Sequence, residues 1–154
     1  MTLEERLNAD LKEAMRSGDT ARKMAIRSVK AALTEAKVAG EQARELTDED
    51  VLAIIIKLAR QRRDSITEFA RGGRADLVAK EQADLAVLET YLPKQLDDAA
   101  IRARAQTVIA EVGAVDLKGI GPVMRRLTAD LRGQADGQAI NRIVRELLSS
   151  AAGG

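Results

Sequence analysis

Residues 121–147 read GPVMRRLTADLRGQADGQAINRIVREL. Val123, Met124, Leu127 and Leu131 recur at helical spacing, and Ile140, Ile143, Val144 and Leu147 repeat the pattern further on. That period puts each set on one face of an α-helix. Between them lies RGQADGQ, where Gly133 supplies a left-handed helix stop and Asp136 a cap for the helix that follows. Pro122 suits an early helical position: its fixed φ is helical, and its missing N–H would have no partner there. Two amphipathic helices on a short connector predict a helical hairpin. Nothing in the stretch alternates at the period of two that a strand requires.

Working outward, the same grammar repeats. Thr2 and Glu5 have the form of a capping box, followed by Leu3, Leu7, Leu11 and Met15, with Gly18 as the stop. Asp19 caps a second helix bearing Ile26, Val29, Leu33 and Ala36, which ends by Gly40. Thr47 with DED behind it starts a third, carrying Val51, Ile54, Ile55, Leu58, Ile66 and Phe69, broken at Gly72 and Gly73. A fourth runs from about Asp76 to Leu92 and is ended by Pro93, which disfavours helix in the residue before it. Asp97 or Asp98 opens a fifth, with Ile101, Ala105, Val108 and Val112, closed by Gly113. Asp116 precedes the sixth, which carries Ile120 as well, and Asp136 precedes the seventh. The expectation is an all-α protein: a four-helix N-terminal domain, residues 1–93, then a three-helix C-terminal domain, residues 94–154, divided at YLPKQL. The final SSAAGG is expected to fray.

Composition narrows the chemistry. The chain has 154 residues, 45% of them apolar, with one Phe, one Tyr and no Trp, so its core is built from Ala, Leu, Ile, Val and Met. It holds no Cys and no His, which removes disulfides, Cys/His zinc sites, thiol nucleophiles and imidazole acid–base catalysis. No cofactor and no metal are expected. Asp48, Glu49 and Asp50 form the most tempting carboxylate trio, but acids there complement a helix N-terminus. The N-terminus lacks the apolar run of a signal peptide, and VLAIIIKLA at 51–59 is too short for a membrane span of about 20 residues. The expected location is the cytoplasm, with no membrane partner.

Charge is nearly balanced at +1 but unevenly placed. Residues 116–145 hold 6 basic side chains (Lys118, Arg125, Arg126, Arg132, Arg142, Arg145) against Asp116, Asp130 and Asp136, all three at expected helix ends. A helix N-terminus beside Arg132, Gln138 and Arg142 has the character of a phosphate site. The bland reading of RGQADGQ is a helix turn alone. A second cluster, Lys57, Arg60 and Arg63, reads first as a solvated face paired with Asp64 and Glu68 at helical spacing.

Three stretches together resemble the GatB/YqeY family: LKEAMRSGDTARKMAIRSVKAAL at 11–33, FARGGRADLVAKEQADLAVLETYLPKQL at 69–96, and GPVMRRLTADLRGQADGQAINRIVRELL at 121–148. The resemblance covers nearly the whole chain and identifies it as similar to the free-standing YqeY-like members. It implies an all-α fold related to the tail of the B subunit of the glutamine-dependent tRNA amidotransferase, where that tail contacts tRNA. The family's label, carbon–nitrogen ligase activity with glutamine as amido-N-donor, belongs to the whole enzyme. This sequence shows no activating or amidase-like segment, so no ligase activity is expected of the chain alone. Implied partners are tRNA and an amidotransferase or aminoacyl-tRNA synthetase. Gly121, Met124, Gly133, Ala135 and Asn141 match the family pattern, and Arg125, Arg126, Arg132 and Arg142 are the implied phosphate contacts, with Lys118 and Gln138 beside them. Family members often carry a lysine where this chain has Pro122. With no aromatic after Tyr91, recognition would be of RNA shape and backbone rather than by base stacking. The competing expectation is a helical adaptor that docks on a protein partner.

Overall fold

The structure, a computed structural model, describes residues 1–150 in full and the backbone of 151–153. It is all-helical: α1 (Leu3–Ser17), α2 (Thr20–Val38), α3 (Asp48–Arg71), α4 (Ala75–Glu89), α5 (Asp98–Val112), α6 (Ile120–Asp130) and α7 (Gly137–Gly153), with a 3₁₀ turn at Leu117–Gly119. No strand occurs among the described residues. Residues 149–153 are helical, contrary to the fraying expected of SSAAGG, and Gly154 lies outside the described residues.

Local chemistry sets most helix ends. The Thr2 hydroxyl accepts from Glu5 N–H at 3.1 Å while the Glu5 carboxylate accepts from Thr2 N–H at 3.1 Å. Thr47 and Asp50 repeat this reciprocal box at the start of α3. Asp19 and Asp97 each take one otherwise orphan N–H, from Arg22 and Ala100. Of the Asp48–Asp50 trio, Asp50 is thus a cap, and Asp48 accepts the Leu3 N–H at 3.0 Å. One start differs from expectation. Asp116 caps the 3₁₀ turn, accepting from Lys118 N–H at 2.9 Å, and α6 proper begins at Ile120 with no side-chain cap. Pro122 then sits in the first turn, where the lost donor costs nothing.

Two compact units are present, Met1–Leu92 and Pro93–Gly154. In the first, Leu7, Ile26, Val29, Leu33, Val51, Ile55, Ala59, Leu88 and Tyr91 form the buried core. The Tyr91 hydroxyl donates to Asp10 at 2.5 Å and its ring lies 4.7 Å from the Arg6 guanidinium, so α1 holds the end of α4 through one aromatic. Burial, then the Asp10 contact, pushes the Tyr91 hydroxyl pKa upward, so it stays a donor. In the second unit the core is Ile101, Ala105 and Val108 of α5, Val123 and Leu127 of α6, Leu131, and Ile140, Ile143, Val144 and Leu148 of α7. Each helix contributes one apolar stripe, which leaves its opposite face to water. That division positions the candidate site.

Candidate nucleic-acid interface

The outer face of α6 follows from its inner one. Val123, Leu127 and Leu131 are buried, so positions half a turn away, Gly121, Arg125 and Ala129, face out; Arg125 and Ala129 are exposed. Lys118, in the 3₁₀ turn before α6, and Arg132, in the turn after it, lie seven residues before and after Arg125 and flank that face at the two ends of the helix. All three cations are exposed. None of their side chains forms an ion pair with a described residue. Gly121 lies beneath Arg125: a Cβ there would be 3.7 Å from the Arg125 Nη1. Small residues between evenly spaced cations leave the helix backbone approachable.

The other arginines of this region have counter-charges. Arg126, 100° round the helix from Arg125, ion-pairs with Glu111 of α5 and more distantly with Asp130 at 4.0 Å. Arg142 donates to Asp98 at 3.0 Å and lies 3.7 Å from Glu146. The hydrogen bond to Asp98, above all, holds the Arg142 pKa above its ordinary value. Arg102 donates to Glu146 at 2.7 Å, closing a chain of charges across α5 and α7. Asn141 accepts from Arg145 at 2.8 Å, and Gln138 is exposed at the start of α7. Gly133 is buried with φ 78°, and its carbonyl accepts from Gln95 at 2.6 Å. The α7 N-terminus is preceded by Asp136, whose carbonyl accepts the Ile140 N–H at 3.1 Å.

The structure places Gly121 and Arg125 on the outer face of α6 with Lys118 and Arg132 in the turns at its two ends, pairs Arg126 and Arg142 with acids and Asn141 with Arg145, and leaves Gln138 exposed at the start of α7. A count over 116–145 passes over the acids of α5, Asp98 and Glu111, which supply much of the missing counter-charge. Of the cluster Lys57, Arg60 and Arg63, Arg63 lies 3.4 Å from Glu89 of α4, and its neighbour Arg62 lies 3.3 Å from Glu81 and 2.5 Å from Asp84. Gly119 went unsuspected. A Cβ there would stand 2.7 Å from the Ala114 Cβ, so the 3₁₀ turn packs on the α5–α6 loop as only glycine permits. The GIGP motif, with two glycines before a proline, carried a hint of it.

Among the described residues no helix is long and apolar enough to cross a membrane, and no group of three potential ligands is placed to hold a metal ion.

Fold and site define a class: an all-helical protein whose last unit exposes Lys118, Arg125 and Arg132 along and around α6, none of them ion-paired with a described residue. The family model described as Yqey-like protein matches residues 4–148, and the chain belongs to that family. It is similar to the Saccharomyces cerevisiae (strain YJM789) protein named Altered inheritance of mitochondria protein 41, mitochondrial, with 41% identity over 88 residues, 56% of this chain and 46% of the relative. The protein of the same name from Pyrenophora tritici-repentis is 32% identical over 154 residues, 94% of this chain and 80% of its own length. That from Lachancea thermotolerans is 31% identical over 108 residues, 69% and 57% respectively. The chain thus spans about half the length of the Saccharomyces relatives it matches. These names overturn the cytoplasmic location expected from the sequence, because the relatives are mitochondrial proteins. The expectation rested on the lack of Cys and of an apolar leader, features that fit any aqueous compartment equally well.

Proposed function

We propose that the chain is a non-catalytic RNA-binding module that lays the outer face of α6 on the phosphate backbone of a folded RNA, of which tRNA is the favoured case. The observation that carries this reading is the set Lys118, Arg125 and Arg132, all exposed, seven residues apart in sequence along α6 and its flanking turns, and without an ion pair to any described residue. Counter-ions held there are released when phosphates replace them, and that release drives binding. No aromatic lies on the face, so contact with phosphates and 2′-hydroxyls is its natural mode. The family resemblance adds tRNA as the ligand and an amidotransferase or aminoacyl-tRNA synthetase as the partner that supplies catalysis.

The test is tRNA binding across a salt series for wild type, for Lys118→Gln/Arg125→Gln/Arg132→Gln, and for Arg126→Gln/Arg142→Gln as the ion-paired control. The stripe variant should lose about one unit of salt slope for each phosphate contact removed, and the control should lose far less. Equal slopes in the stripe variant and wild type would refute the site. A second reading, docking on a protein partner, is supported by Val112, Val115 and Leu117, which are 37%, 72% and 41% exposed around the α5–α6 loop. Binding of a protein partner that Val115→Ser abolishes, with no RNA binding by wild type, would replace the first reading by the second.

A further inference from the structure

We infer that the first unit carries a second polyanion site, on the outer edge of the α1–α2 seam, and that its ligand is the phosphate backbone of RNA. The two helices pack as neighbours on either side of Gly18 and Asp19. One ion pair, Lys37 with Glu4, crosses the seam at its far end and marks one edge of both helices. On α2, Lys30 and Lys23 follow Lys37 at steps of seven, so all three lie along that edge. On α1, Asn8 and Met15 stay within about 40° of Glu4 round the helix, while exposed Lys12 lies about 80° and exposed Arg16 about 120° round, on the solvent side of the edge. Because the helices run antiparallel, moving away from the Lys37–Glu4 pair brings Lys30 level with Asn8 and Lys12, and Lys23 level with Met15 and Arg16. Where α1 could offer further acids to those lysines, it offers an amide and two more cations. Arg27, between Lys23 and Lys30 on α2, is exposed and adds a fifth charge.

Lys12, Arg16, Lys23, Arg27 and Lys30 form no ion pair with any described residue. The acids nearest in sequence are engaged elsewhere: Glu13 and Asp10 lie 3.7 Å and 3.3 Å from Arg22, and Asp19 caps α2. The five cations stand on two packed helices, whose axes lie about 8–10 Å apart, with about 10 Å between Lys23 and Lys30 along the α2 axis. Like charges gathered so closely repel, and a polyanion relieves that repulsion. Its class follows from what the patch lacks. Membrane-surface helices set bulky apolar residues beside their cations, and protein hot spots centre on buried aromatic anchors. Here the exposed large apolar residues of α1 and α2 are Met15 and Met24, each 55% exposed, and Val38, 63%; they are scattered singly and none is aromatic. Rows of Lys and Arg without anchors suit a ligand that is all charge and regular spacing, which is a nucleic-acid backbone.

This site is independent of the α6 face, and one experiment separates them. Binding of bulk tRNA and of a short RNA duplex to the full chain is measured by anisotropy across a salt series. The proteins are wild type, Lys12→Gln/Lys23→Gln/Arg27→Gln/Lys30→Gln, and the α6 stripe variant. Thermal unfolding by circular dichroism accompanies each. The seam variant should bind at least ten-fold more weakly at low salt, with a shallower salt slope, while its melting temperature stays equal to wild type or rises as repulsion is removed. Weakening by the α6 variant alone would overturn the seam site and leave the α6 reading standing. Weakening by the seam variant alone would do the reverse. A melting temperature well below wild type would give the cations a structural role and overturn the inference, and Lys→Arg exchange at 12, 23 and 30, which keeps the charge, should preserve binding. Absence of wild-type RNA binding overturns both sites. Binding instead to phosphatidylserine vesicles would reassign the seam to a membrane surface.

Discussion

Replacing Gly119 by alanine tests the account of the second unit at its tightest point. Gly119 has φ −87°, which any residue adopts, so backbone strain is not at issue. The added Cβ would stand 2.7 Å from the Ala114 Cβ and 3.2 Å from the Ala114 Cα. Carbon atoms pack at about 3.5–4.0 Å, so roughly 1 Å must be found. Neither contact can be relieved by a rotamer change, because a Cβ and a Cα move only with their backbone. The α5–α6 loop must therefore shift, at a cost of about 1–3 kcal/mol. Alanine's smaller unfolded-state entropy offsets about 0.4–1 kcal/mol of this. A net loss of roughly 1–2 kcal/mol remains, and each kcal/mol lowers the melting temperature of a unit this size by about 4–8 °C. Gly121→Ala, two residues on, is the matched control. Its Cβ would meet Arg125 at an ordinary 3.7 Å, and α6 would gain up to about 1 kcal/mol from the better helix former. Urea unfolding followed by circular dichroism reads both. If Gly119→Ala were as stable as wild type, or Gly121→Ala the less stable of the two, the packing argument would fail.

Three further outcomes are expected. Leu127 is fully buried between α5 and α7, so Leu127→Ala should cost about 2–5 kcal/mol, seen as faster amide exchange throughout the second unit; exchange unchanged in α5 and α7 would contradict a shared core. Gly133 holds φ 78°, so Gly133→Ala should cost about 1–2 kcal/mol, and a neutral result in urea unfolding would show that the turn relaxes to another conformation. Asp50 is held below its ordinary pKa of 3.8, first by the Thr47 N–H. A depressed folded-state pKa stabilises the fold above 3.8, and that contribution disappears as pH falls through the lower folded value. Asp50→Asn should therefore lose less stability than wild type between pH 5 and pH 2, and parallel acid curves would speak against the capping box as its cause.

The sequence by itself determined what is local. Thr2, Asp19, Thr47 and Asp97 mark helix starts, and Gly18 and Gly113 mark stops, because a cap bonds within three residues and a left-handed turn needs only its own glycine. Apolar residues at helical spacing named the buried faces, and Val123, Leu127, Ile143 and Val144 are indeed buried. Family membership was legible for the same reason: the motifs are contiguous. Tertiary structure alone decided which charges are spent. Arg125 and Arg126 are neighbours in sequence, yet Glu111 of another helix pairs with one and nothing described pairs with the other. Arg142 finds Asp98 forty-four residues away. The seam cations of α1 and α2 and the close contact under Gly119 were hidden likewise. Coulomb attraction and steric contact act through space over a few ångströms, and distance along the chain does not say which groups packing will bring that close.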